Sequence, residues 1–143
     1  MDEIGFTIDP AFEAGSLALG ALKLCAARLQ TDARWPWIVL IPRRAALREV
    51  EDLDPALRAL LMEEAVAAGA AVRAVGAATG FSVEKLNIGA LGNVTPQLHL
   101  HVVGRRTGDA AWPGPVWGFG IVTPHDAASL GLAMATARAA LGL

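Results

Sequence analysis

Gln97-Leu98-His99-Leu100-His101-Val102-Val103 alternates polar and apolar residues with a period of two, the pattern of a β-strand with two unlike faces. Leu98, Leu100 and Val102 point one way and belong to a core, whereas Gln97, His99 and His101 share the opposite face. Neighbours on one face of a strand stand about 7 Å apart, close enough for two imidazoles and an amide to converge on one small ligand. Two of the three histidines of the chain are committed to this row. Neutral imidazole is a nucleophile with a pKa near neutrality, so one ring of such a row can attack phosphorus while its neighbour bonds a phosphate oxygen or the leaving group. The same spacing also describes the polar outer face of an amphipathic strand, and only the rest of the chain separates the two.

A β-rich segment from Ser82 to Leu91 precedes the histidine strand, Gln97 to Gly104, and a turn containing Gly92-Asn93 joins them. Asp54-Pro55 places an N-cap acceptor before a proline at the first helical position. Apolar residues recur at Leu57, Leu60, Leu61, Ala65, Ala68, Val72 and Val75, which predicts a helix to about Thr79, stopped by Gly80. Gly69 and Gly76 inside it predict close approach of a sheet or another helix. Earlier, residues 17 to 30 form a hairpin with Gly20 as its turn and Ala21 to Leu29 as its second strand. Trp37-Ile38-Val39-Leu40-Ile41 follows as a buried strand closed by Pro42. After the histidine strand, Arg105 to Pro115 reads as a loop. Thr123-Pro124 then opens a last helix through Leu130, Ala133, Met134, Ala137 and Leu141, which puts His125 in its first turn. Two strand groups separated by one long helix argue for an α+β fold, an antiparallel sheet with its helices on one face.

The 143 residues, 54% hydrophobic and 18% charged, suit one domain spanning 1–143 that needs neither disulfide nor structural metal. A net charge of −2, with no basic cluster beyond Arg43-Arg44 and Arg105-Arg106, argues against nucleic acid as a partner. Cys25, the only cysteine, lies in an apolar stretch and reads as a buried, inert thiol. The start Met1-Asp2-Glu3-Ile4-Gly5 carries acids where a secretory leader carries positive charge, and no apolar run has the length of a membrane span. Cytoplasmic location without a membrane partner is the expectation.

The histidine strand resembles the motif of the histidine triad (HIT) family, His-φ-His-φ-His-φ-φ with φ apolar, with Gln97 in the first histidine's place. Leu86-Asn87-Ile88-Gly89 and Gly92-Asn93 look like that family's Asn-bearing strand and polar turn. Trp37 to Arg44 resembles its strand ending in Ile-Pro and two basic residues, and the likeness covers roughly residues 15 to 120. The resemblance implies a HIT-like, mainly antiparallel five-stranded sheet with two helices, a homodimer, and a nucleotide substrate attacked at its α-phosphate. By position, His99 matches the histidine that forms a transient nucleotidyl-histidine and His101 matches the one that contacts phosphate oxygens. Asn87 and Asn93 match substrate-binding residues. No metal or organic cofactor is required for this chemistry.

Two departures matter. Gln97 donates and accepts hydrogen bonds but carries no proton at neutral pH, so it can orient and cannot act as acid or base. Ala45 stands where many relatives have a further histidine after the basic pair. A related branch, the hexose-1-phosphate uridylyltransferases, places glutamine at a different triad position, so the scaffold is not tied to three imidazoles. These departures leave open a nucleotide-binding protein with little catalysis. A partner-binding role for the loop Trp112 to Gly118, with its two tryptophans, is a third reading.

Arg43, Arg44, Arg105 and Arg106 could meet phosphate, although arginines after a strand are usually solvated. A zinc site would have to join His125 to His99 and His101. No Asp, Glu or Cys lies within the strand motif to complete it, so no metal is expected.

Overall fold

Five strands, β1 (Ser16–Ala21), β2 (Cys25–Gln30), β3 (Trp37–Pro42), β4 (Lys85–Gly89) and β5 (Leu100–Arg105), form one sheet in the order β1-β2-β3-β5-β4. Every neighbouring pair is antiparallel. Two helices, α1 (Pro55–Thr79) between β3 and β4 and α2 (Ala127–Leu141) at the end, complete the expected α+β architecture. This computed structural model describes residues 2–143. Met1, the first residue of the expected domain and of its acidic start, lies outside the described residues.

The strand period sorts the sheet into two faces. Ile38, Leu40, Leu100 and Val102 meet Ala65, Ala68, Val72 and Val75 of α1 on one side, and α2 adds Ala133 and Ala137 to the same core. On the other side Trp37, Val39, Ile41 and Val103 form a second core with Phe6, Ile8 and Phe12 from the N-terminal segment and Val116 and Trp117 from the segment after β5. The central strands β3 and β5 are therefore buried on both faces. That explains why Trp37–Ile41 reads as a continuous apolar run.

Helix α1 begins and ends at the expected residues. Asp54 accepts the Leu57 N–H at 2.9 Å, Pro55 opens the first turn, and Gly80 closes the helix at φ 81°. Its glycines mark the close approach their presence predicts. A Cβ on Gly69 would stand 2.7 Å from Leu86 of β4, and one on Gly76 would run into the Phe81 carbonyl.

Three local expectations are corrected. Gly20 is not the turn of the first hairpin. It lies within β1 at a register shift, paired with Ala27, and the turn is formed by Leu22, Lys23 and Leu24. Side chains distant in sequence hold that turn. The buried Glu64 carboxylate accepts the Leu24 and Cys25 N–H groups at 2.6 and 2.9 Å, and Arg43 donates to the carbonyls of Leu22, Lys23 and Leu24. Burial first, and then the adjoining Glu64 carboxylate, push the Cys25 thiol far above its usual range, so it is an unreactive core residue.

Secondly, α2 is capped by Asp126, which accepts the Ser129 N–H at 2.7 Å, rather than by Thr123. Thr123 and Pro124 are extended because they pair with the β2–β3 connection: Pro124 bridges Asp32, and the Thr123 carbonyl accepts the Ala33 N–H at 2.7 Å. His125 accordingly precedes the helix, its Nδ1 3.1 Å from the Ser129 hydroxyl. Thirdly, the strand segments are shorter than read, Lys85–Gly89 and Leu100–Arg105, so Gln97–His99 is a lead-in to β5 that begins with a bend at Gln97. Among the described residues, no helix is long and apolar enough to cross a membrane.

Candidate active site

The alternation read from the sequence holds through the lead-in. Leu98, Leu100 and Val102 enter the core beneath α1, and His99 and His101 lie on the opposite face, only 7% and 9% exposed. The Leu98 N–H donates to the Leu47 carbonyl at 3.0 Å and fixes the lead-in against the chain entering α1.

Register places Val39 opposite His101 on one side and Gly89 on the other. Two residues along β3 from Val39, the Trp37 indole N–H donates to His101 Nδ1 at 3.0 Å. An indole nitrogen can only donate, so Nδ1 of His101 is unprotonated and its proton resides on Nε2. Burial, and then the proximity of His99, lower the His101 pKa from 6.5 to about 4, which keeps this ring neutral at physiological pH.

His99 is held in the complementary tautomer. Its Nδ1 lies 2.7 Å from the Gln97 carbonyl oxygen. A carbonyl can only accept, so Nδ1 carries the hydrogen, and the lone pair of an imidazole so held lies on Nε2. The rings meet edge to face with centroids 4.8 Å apart. One imidazole therefore presents a lone pair and its neighbour an N–H donor, which is the division of labour that nucleophilic attack on a phosphate ester needs.

Aromatic rings frame the pair. Phe12 meets the edge of His99 at 4.8 Å, and Trp37 and Trp117 flank His101 at 5.6 and 5.5 Å between centroids. Gly89 leaves the space Trp117 needs: a Cβ there would come within 3.4 Å of the indole ring. Trp117 and His101 line two clefts: one of about 290 Å³ also contains His99 and the turn Leu91–Thr95. The other, of about 270 Å³, also contains Trp37, Gln30 and Phe119.

The remaining expected residues divide. Asn93 lines the first cleft together with both histidines. Asn87 lines neither, and its Oδ1 accepts from Arg105 Nη1 at 2.7 Å. Gln97 turns its amide to the backbone of the N-terminal segment: Oε1 accepts the Asp9 N–H and Nε2 donates to the Thr7 carbonyl, both at 2.8 Å. His125 shares neither cleft with the motif histidines, and among the described residues no three His, Cys, Asp or Glu side chains are placed to hold a metal.

Arg43 and Arg105 are structural and buried, contrary to the reading of the arginine pairs as solvated or phosphate-facing. Arg105 makes a two-point ion pair with Asp109 at 2.7 and 3.0 Å and also donates to the Gly114 carbonyl, which fastens the segment after β5 beside the site. Burial would raise the Asp109 carboxyl, but Arg105 and backbone donors prevail and lower it to about 2. Sequence reading missed Trp37, Phe12 and the Thr7–Asp9 segment as parts of the site. Neither carried a signal in the chain itself, because Trp37 meets His101 only through the β3–β5 pairing and the N-terminal segment joins the site through Gln97.

The HIT domain family matches residues 11–108. Three crystal structures of histidine triad proteins are similar over nearly the whole chain. One from Sinorhizobium meliloti 1021 is 43% identical, covering 95% of this chain and 97% of its own, with a TM-score of 0.85. One from Bradyrhizobium japonicum is 36% identical with coverage of 96% and 98% and a TM-score of 0.88. A third, from Marinobacter aquaeolei VT8, is 34% identical with coverage of 96% for each chain and a TM-score of 0.87. Comparison with curated proteins gives no match. With its histidine strand, sheet order and these likenesses, the chain belongs to the histidine triad family.

Proposed function

We propose that this protein is a nucleotide hydrolase or nucleotidyl transferase acting at the α-phosphate, with His99 as the nucleophile. The observation that carries the reading is the pair of complementary tautomers: His99 anchored through Nδ1–H with Nε2 free, and His101 held by Trp37 as an Nε2–H donor. The His99 Nε2 lone pair forms a bond to phosphorus as the bond to the leaving group breaks, and the leaving group departs with that electron pair. The Gln97 carbonyl stabilises the positive charge that develops on the ring. His101 Nε2–H donates to a non-bridging phosphate oxygen. Water or another acceptor then displaces the histidine from phosphorus and returns the lone pair to Nε2, its proton passing to solvent.

Asn93 and the Gly92 turn bind the phosphate side of the substrate in this reading, and Gln97 orients the site without exchanging a proton. Asn87 contributes by holding Arg105 and the segment after β5. Adenosine phosphoramidates and dinucleoside polyphosphates are the substrate classes of first choice. The protein acts on nucleotides rather than nucleic acid, as a homodimer in the cytoplasm, with the whole chain as one domain and without a metal or organic cofactor. The second reading, nucleotide binding with little catalysis, is favoured by one observation, the absence of a proton-carrying side chain at position 97.

Phosphorus NMR of an adenosine phosphoramidate, a dinucleoside polyphosphate and a nucleotide sugar with wild-type protein and His99→Ala separates the two. Turnover by the wild type alone supports the enzyme and names its leaving group. Nucleotide binding without turnover by either protein moves the assignment to the binding module.

A further inference from the structure

The residue in the first place of the triad does something that an imidazole at that position would not. The Gln97 amide straddles one residue of the N-terminal segment, accepting from the Asp9 N–H and donating to the Thr7 carbonyl, each at 2.8 Å. The carbonyl of residue 7 and the N–H of residue 9 both turn to one primary amide, whose donor and acceptor sit side by side on a single carbon. Imidazole also has one donor and one acceptor when neutral, but its nitrogens diverge across the ring and do not match that side-by-side pair.

What the amide holds leads directly to the reacting group. Asp9 caps the short 3₁₀ turn Pro10–Ala14 by accepting the Ala11 N–H at 2.9 Å. Phe12 on that turn places its ring 4.8 Å from His99, edge to face at 76°. Phe6, Ile8 and Phe12 pack on the histidine face of the sheet, so the segment is a wall of the site as well as a terminus. His99 is thus restrained twice by residue 97: directly by its backbone carbonyl on Nδ1, and through its side chain by the segment that carries Phe12.

We propose that Gln97 is a positioning residue that latches the 6–14 segment over His99 and so holds the imidazole in line for attack on phosphorus. The proposal rests on the reading of His99 as nucleophile. It gives the substituted triad position a role that needs no proton transfer.

The test uses full-length wild type, Gln97→Ala, Gln97→Glu, Phe12→Ala and the Gln97→Ala/Phe12→Ala double variant. Hydrogen exchange of the Asp9 amide and the nitrogen NMR shifts of His99 are read together with kcat and KM on adenosine 5′-phosphoramidate. Gln97→Glu keeps the acceptor for Asp9 and sets a carboxylate against the Thr7 carbonyl, so it reports on the latch even if the alanine variant does not fold. A latch predicts faster Asp9 exchange, shifted His99 resonances, and a kcat lowered about tenfold with KM changed by less than about twofold. It also predicts that the double variant is about as slow as Gln97→Ala alone, because Phe12 acts through the same restraint. Unchanged Asp9 exchange, unchanged kcat, or losses that multiply in the double variant would overturn it. If the wild type turns over no substrate, the reaction assignment fails by itself, and Asp9 exchange with the His99 shifts then decides the latch: movement supports it and no movement overturns it.

Discussion

Trp37 and His101, 64 residues apart, are joined by a buried hydrogen bond of 3.0 Å from the indole N–H to Nδ1. Because the donor cannot accept, this one contact decides where the His101 proton resides and which atom the ring offers to a ligand. The neighbouring ring is fixed the opposite way by a backbone carbonyl, so two chemically identical side chains leave the fold offering different atoms at Nε2.

Trp37→Phe keeps most of the packing and removes the donor. His101 should then populate both tautomers, visible in nitrogen NMR, and kcat should fall about tenfold to a hundredfold as the phosphate donor is lost for part of the time. Stability should fall by about 1–2 kcal/mol, read by urea denaturation, since a buried acceptor loses its partner. Unaltered His101 shifts in the variant would sink the tautomer assignment.

Stability should depend on pH through His101. Its pKa is about 4 in the folded protein against 6.5 ordinarily, so the unfolded chain binds more protons between these values. The contribution is fully present above about pH 6.5 and is lost as pH falls toward 4, amounting to about 3 kcal/mol. Denaturation midpoints at pH 7, 5.5 and 4.5 should fall in the wild type and fall less in His101→Gln. Parallel curves for the two proteins would contradict the assignment. Asp109, lowered to about 2, acts in a separate and more acidic window, where stability is lost as pH drops below the usual carboxylate range.

Arg105→Ala should be among the most damaging substitutions outside the histidine row. It leaves Asp109 buried without its cation and frees Asn87 and the Gly114 carbonyl, at a cost of about 3–5 kcal/mol. Arg105→Lys should recover little, because an ammonium cannot make the two-point contact. Chemical denaturation measures both. A loss below about 1 kcal/mol in the alanine variant would show that the pair is dispensable to the fold.

Gly76→Ala tests the approach of α1 to the chain leaving it. The added methyl meets the Phe81 carbonyl and the Val83 side chain, so either the helix or the 81–83 segment must move. A helix-favouring substitution should therefore destabilise, by about 1–3 kcal/mol, and thermal unfolding reads the sign directly. Gly131→Ala in α2, where a Cβ meets nothing within 4 Å, is the control expected to be neutral or stabilising.

Local signals were legible where one element contained all its own determinants. Asp54, Pro55 and Gly80 bound α1 correctly because cap, first turn and stop act within a few residues. The same kind of signal misled at Thr123-Pro124, where pairing with Asp32 competes for the backbone and Asp126 caps instead. Gly20 misled likewise, since Glu64 and Arg43 secure the turn three residues further on.

That His99 and His101 share a face opposite Leu98, Leu100 and Val102 was legible in the chain alone, because a strand's period of two is a local property. So was the inability of Gln97 to exchange a proton there. Which nitrogen of each ring is free was not, since that follows from Trp37 across the β3–β5 register and from a carbonyl brought within 2.7 Å. Only the tertiary structure joined Gln97 to Thr7 and Asp9, about ninety positions away, because a hydrogen bond depends on distance in space and leaves no periodic trace in the chain.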